Sequence, residues 1–416
     1  MIRLLVIGLF LALTLPARAG EVAVVPGGLA EALANAQDGD VLRLSPGTFA
    51  GPILIDRPLT IDGGGVAHID AGGTNSVITV AAPDVTVRGL TISGSGSDHE
   101  TIDSGVQLTR TATRAIIEDN VLLGNLYGID IHGARDARVH NNRIEGRRDG
   151  AMNRRGNGIY VWNAPGAEVT QNRVRWGRDG IFVNSSKKNR FSGNEFRGLR
   201  FAVHYMYADD SEVSNNLSVG NHLGYAVMFS NRVRVTDNVS RGDRDHGVML
   251  NYANHSDISG NVVLGGAEKC AFLYNSHKNS FSDNRFEGCE IGLHFTAGSD
   301  RNAISGNAFI GNRTQVKYIA TSWDEWSSEG RGNYWSDFAA YDLDGDGIAD
   351  APYRPNDSMD HVLWTQPAAK LLLGSPAVQL VRWSQSAFPA LLPGGVIDSH
   401  PLMRPAERAV PAEDLQ

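Results

Sequence analysis

An asparagine recurs through the middle of this chain in a nearly constant frame, and that period restricts the fold more than any other feature. It falls at Asn120, Asn142, Asn172, Asn194, Asn216, Asn238, Asn261, Asn284 and Asn307, with gaps of 22, 30, 22, 22, 22, 23, 23 and 23 residues. The one long gap holds an eight-residue insertion, Gly150–Asn157 ("GAMNRRGN"). About eight residues after most of these Asn, allowing for insertions, comes a Gly-Ile-x-Val-like element. Examples are Gly128-Ile129-Asp130-Ile131, Gly180-Ile181-Phe182-Val183, Gly224-Tyr225-Ala226-Val227 and Gly247-Val248-Met249-Leu250. A second short apolar element precedes many of the Asn, as at Val213 and Val235. A period of 22–23 residues built from short strands is one coil of a parallel β-helix. A single coil cannot bury its own apolar side, so coils stack into a continuous core about 4.8 Å apart. The recurring Asn are then expected to form an internal ladder of amides, a structural role. Leucine-rich repeats share this length but require an L-x-x-L-x-L spacing that the chain lacks.

The fold class is therefore read as all-β, a right-handed parallel β-helix over residues 20–320 with irregular first coils. Leu29–Ala36 has helical spacing and suits a short helix capping the open N-terminal end, which would otherwise expose a sheet edge. Residues 1–19 combine a charged start, an apolar run from Leu4 to Leu15, and Ala17-Arg18-Ala19. This reads as a secretory signal peptide, too short for a membrane span, so the mature chain is expected outside the cytoplasm. Residues 321–355 are rich in Trp and then in Asp. Residues 356–416 read as a C-terminal extension, with amphipathic helical spacing in "VQLVRWSQSAF" from Val378.

Within each Gly-Ile-x-Val element the residues flanking x point inward, while x and the residue after Val point out. Coil by coil the outward pairs are Asp130/His132, Tyr160/Trp162, Phe182/Asn184, His204/Met206, Ala226/Met228, Met249/Asn251, Phe272/Tyr274 and His294/Thr296. A solvated sheet face should be polar, whereas this one is aromatic and sulfur-rich and wants a partner or a ligand. Met206 and Met228 share a column on adjacent coils, His204 lies two residues before Met206, and Ala226 leaves a gap between His204 and Met249. His222 and His246 fall in the turns just before two of these strands. Thioether sulfur selects Cu(I), and imidazole suits copper as well. The competing reading is that these side chains pack under the C-terminal segment or a partner protein, since Met is an adaptable filler of interfaces.

Asp342, Asp344, Asp346, the Ile348 carbonyl and Asp350 occupy positions 1, 3, 5, 7 and 9 of a calcium-type loop, with Gly347 at position 6. Position 12 is Tyr353 where such loops carry Glu, so the choice lies between a calcium site with fewer ligands and a run of Asp-Gly turns. Cys270 and Cys289 lie on adjacent coils and suit one disulfide in an oxidising compartment. The formal charge is −8, and −10 without the two arginines of residues 1–19, a poor match for nucleic acid.

The coil signature, "GNYWSDF" (Gly332–Phe338) and "DLDGDGIADAPY" (Asp342–Tyr353) together resemble the NosD family of periplasmic β-helix proteins. That resemblance implies a non-enzymatic role in assembling the copper centres of nitrous oxide reductase. It implies partners too: an ABC-type membrane subunit with its ATPase, and a lipoprotein copper chaperone. Peripheral attachment to the inner membrane would follow, with Val378, Leu380, Val381, Trp383 and Phe388 as the dock onto the membrane subunit. His204, Met206, Met228 and Met249, with His222 and His246 nearby, would hold copper or form the floor on which the chaperone presents it. Pectin lyases and alginate epimerases share the coil repeat, so a polysaccharide lyase or uronate epimerase is the alternative. Such an enzyme needs Asp, Arg or Lys clustered along a groove, where this face offers Met, His and aromatic side chains.

Overall fold

The computed structural model describes residues 20–296, 298–319, 323–372, 374–388 and 394–406. The expected signal peptide lies outside them. Each regular coil contributes two three-residue strands to one large parallel sheet and a six-residue strand to a second, 12-stranded parallel sheet. In one coil these are Arg190–Ser192, Glu195–Arg197 and Phe201–Met206, which pair with Glu212–Ser214, Leu217–Val219 and Leu223–Met228 of the next. The apolar centre of most triplets points inward: Phe191, Phe196, Val213 and Val235 are buried. The result is a parallel β-solenoid.

The corner between the two triplets explains the repeat. Its first residue has positive φ, at Gly193 (69°), Asn215 (55°), Asp237 (58°) and Gly260 (64°), residue types that tolerate the left-handed region. Its second residue is the ladder Asn. Asn216 Nδ2 donates to Asn238 Oδ1 at 2.9 Å and to the Phe191 carbonyl at 2.9 Å, while its Oδ1 accepts from the Nδ2 of Asn194 at 2.9 Å. The ladder runs one step past the periodic region, from Asn307 Nδ2 to Asn333 Oδ1 at 2.9 Å. The spacing of 26 residues hid that step. The disulfide joins Cys270 to Cys289, with Cα atoms 5.7 Å apart.

Helix α1 (Leu29–Asn35) stands at the N-terminal end and buries Leu29 against the core. At the other end Trp335 stacks on Phe309, with ring centroids 4.4 Å apart, and Trp326 is fully buried beside them. Part of the expected C-terminal extension returns to this end of the solenoid and closes it as a lid. Gly395–Ile397 pairs in parallel with Trp323–Glu325, and Asp398 accepts from Asn333 N at 2.7 Å and Trp335 Nε1 at 2.8 Å. Between them lie α2 (Ser358–Thr365) and α3 (Pro376–Ala387).

Candidate metal centre

The outward face of the 12-stranded sheet carries a grid two columns wide and three coils long. Register pairs His204 with Ala226 and Ala226 with Met249 in one column. Met206 pairs with Met228, and Met228 with Asn251, in the other. The extra residue before Gly247 is absorbed in the turn between the strands ending at Arg241 and beginning at His246, so Met249 keeps its place. The three methionines are half-buried. Immediately after this column, Tyr207, Phe229 and Tyr252 adopt positive φ (54°, 50° and 51°), which bulky side chains rarely tolerate. Their rings stack at 5.2 Å intervals as an exposed aromatic rim.

His204 points outward as the pattern required but is only 8% exposed. Its ring lies 4.5 Å from Phe201 and 4.9 Å from Phe182, and Phe182 stacks in turn on Tyr160 at 5.4 Å. Its Nδ1 lies 3.3 Å from Asp179 Oδ2. Asp179 has no exposed side-chain surface and receives Arg200 in a bidentate pair, at 2.8 and 2.6 Å. Burial alone would raise its pKa; the His204 contact and the Arg200 pair outweigh it and hold the carboxyl below its usual range. His204 Nε2 and Asn251 Oδ1 are both buried without a hydrogen-bond partner. A buried unpaired imidazole nitrogen costs free energy unless something ligates it. Met206 lies two residues on along the same strand, and Met228 and Met249 on the next two coils of the same face, so the grid offers soft donors of the kind that suit a monovalent copper ion.

His246 opens its strand, a correction to its expected turn position; it aligns with Leu223 and Lys269 and packs 5.3 Å from Phe272. Burial first, then Lys269, lower its pKa. His222 does lie in a turn, against Arg244 and 3.9 Å from Asp245, outside the grid. Asp179 and Asn251 were not foreseen as site residues. Asp179 sits just before Gly180 and reads as a turn residue, although its place at the head of the strand repeats that of Phe201 one coil on.

The model of a family described as "Periplasmic copper-binding protein (NosD)" matches residues 148–340. A protein of Stutzerimonas stutzeri named "Probable ABC transporter binding protein NosD" is 40% identical over 88% of this chain and 87% of its own length. The protein of the same name from Pseudomonas aeruginosa is 41% identical over 91% and 93%. The chain belongs to the NosD family. Solved structures with the same fold include exopolygalacturonases of Yersinia enterocolitica (TM-score 0.57, 12% identity, 73% of this chain and 77% of that one) and Thermotoga maritima (0.55, 11%, 71% and 91%). At such identities the likeness shows the solenoid alone.

In this NosD-family chain the acidic loop is compact. Carboxylate oxygens of Asp342, Asp344 and Asp346 lie within 4.8 Å of one another. The N–H groups of Gly347 (2.9 Å) and Gly345 (2.6 Å) donate to Asp342 and contribute to lowering its pKa. Ile348 N donates to Asp346, and Asp350 accepts from Leu343 N. Ala349 N bonds the Pro401 carbonyl, which ties the loop to the C-terminal lid. In α3 the docking set divides. Val378 is buried, a correction, because it shares the packed face with Arg382 and Gln385 at i, i+4 and i+7. Arg382 pairs with Asp357 at 3.1 Å. Leu380, Val381, Trp383 and Phe388 are exposed. Among the described residues no helix is long and apolar enough to cross a membrane.

Proposed function

We propose that this protein works in the periplasm, binds Cu(I) on the grid of His204, Met206, Met228 and Met249, and performs no catalysis of its own. The observation that carries this reading is the buried, unpartnered Nε2 of His204 beside a methionine pair held in register. The family description as copper-binding and periplasmic supports it. The name of the relatives supports association with an ABC transporter. On this reading the chain receives copper from a lipoprotein chaperone and passes it toward the copper centres of nitrous oxide reductase. Anaerobic titration against a competing Cu(I) chelator tests the site. Met206→Ala/Met228→Ala is expected to weaken affinity by on the order of a hundredfold or more, since it removes two of the soft donors that select Cu(I). Unchanged affinity would leave the face as a docking floor only.

Two further parts belong to this proposal. Calcium in the loop of Asp342, Asp344, Asp346, Ile348 and Asp350 would brace the lid. If its affinity is that of extracellular calcium modules, 10 mM calcium adds about 1–3 kcal/mol to stability. The melting temperature should then rise by a few degrees over an EDTA control, and Asp344→Asn/Asp346→Asn should erase the rise. The exposed apolar side of α3 would dock on the membrane subunit. Leu380→Asp/Trp383→Asp is expected to shift the protein from the membrane to the soluble fraction of cells expressing the transporter, without changing Cu(I) affinity. Retention at the membrane would exclude α3 as the dock.

A further inference from the structure

We propose that Asp179, clamped by Arg200, is a positioning residue that fixes the tautomer of His204 and so presents Nε2 to the metal. The inference rests on the copper reading above for its consequence, but its structural core can be tested without copper.

A carboxylate with no exposed surface persists as an anion only when paired and hydrogen-bonded. Arg200 supplies the pair through Nε to one oxygen and Nη2 to the other. Arg178 adds a second guanidinium with its Nε 3.6 Å from Oδ2. An ionised carboxylate has no proton to give, so in its contact with His204 the hydrogen must sit on Nδ1. In a neutral imidazole the lone pair then resides on Nε2, the atom left buried without a partner. The opposite tautomer would set two acceptors against each other at Nδ1 and bury an N–H with nothing to receive it.

The same elements fix the plane of the ring. Arg200 lies 4.6 Å above the Phe201 ring, and Phe201 stacks on His204 at 4.5 Å with 21° between planes. Asp179 and Phe201 are register partners on adjacent strands, so carboxylate, guanidinium, phenyl ring and imidazole form one packed unit at the edge of the grid. A carboxylate behind the imidazole, with the far nitrogen free, is the arrangement that orients histidine ligands in metal sites. Were Asp179 and Arg200 only a structural ion pair, His204 would show no tautomer preference that depends on them.

The test uses the full mature chain with 15N-labelled histidine. In the wild type, long-range 15N–1H spectra should report His204 as the Nδ1–H form. In Asp179→Asn the amide oxygen is expected to face Arg200, leaving its NH2 group against Nδ1 and driving His204 to the Nε2–H form. Cu(I) affinity in that variant should fall by roughly 10–100-fold. Arg200→Gln keeps the carboxylate but loosens it, and should give a mixture of tautomers with a smaller loss of affinity. An Nε2–H form in the wild type overturns the proposal, whether or not either variant folds. So does an unchanged tautomer in Asp179→Asn, or Cu(I) affinity within twofold of the wild type. If the wild type binds no Cu(I), the functional reading fails, while the spectra still decide whether Asp179 sets the tautomer.

Discussion

Asn216→Ala is expected to lower the unfolding free energy by roughly 3–5 kcal/mol. The alanine would strand the Asn194 backbone N–H (2.9 Å) and one Asn194 Nδ2 hydrogen (2.9 Å) in the dry interior, and would remove a side-chain donor from the Phe191 carbonyl (2.9 Å). Each buried group left without a partner costs about 1–3 kcal/mol, and no water can reach this corner of the coil without opening it. The loss should spread beyond one coil, because a solenoid holds each coil by its neighbours alone. Urea unfolding of the variant beside a surface control such as Arg234→Gln measures it. A loss no larger than the control's would mean that the ladder fills space and contributes little hydrogen bonding.

Asp130→Asn should act in the opposite direction, by an amount that grows as pH rises from about 4 to 7. Asp130 has no exposed side-chain surface; its Oδ1 has no partner, and its Oδ2 lies 3.5 Å from Gln107 Nε2 and 3.8 Å from His132 Nδ1. Burial pushes its pKa up to about 7. The folded state therefore keeps a proton that the unfolded chain gives up near pH 4. Asp130 thus contributes fully below about pH 4, and that contribution falls as pH rises until Asp130 ionises in the folded state near pH 7, by about 4 kcal/mol in all. Asparagine mimics the protonated acid and removes the dependence. The variant should gain on the wild type between pH 5 and pH 8 in chemical unfolding. Parallel stability curves over that range would show that Asp130 ionises freely in the folded protein.

These two side chains mark what the sequence discloses and what it hides. The ladder was legible because every coil repeats the same constraint: a left-handed corner residue followed by a buried amide. Strand alternation then sorted inward from outward side chains, which placed His204 and Met206 on the outer face. It gave no measure of cover. His204 and Asp130 point out of the solenoid and are nonetheless buried, because Phe182, Phe201 and Tyr160 stack along the same face. Asp179 escaped notice because its partners, Arg200 and His204, come from the next coil, a relation that single-position patterns do not carry. The return of Gly395–Ile397 to Trp323–Glu325 was hidden for the same reason, having no period to betray it. Val378 misled because helical spacing shows an apolar face without showing which side packs.

The most direct test of the copper grid is X-ray absorption at the copper K-edge on the mature chain loaded with one equivalent of Cu(I) under anaerobic conditions. The account predicts a first shell dominated by sulfur, with a single imidazole nitrogen that disappears in His204→Ala and a sulfur count that drops in Met206→Ala/Met228→Ala. A shell of nitrogen and oxygen alone, or a spectrum indifferent to both substitutions, would contradict it.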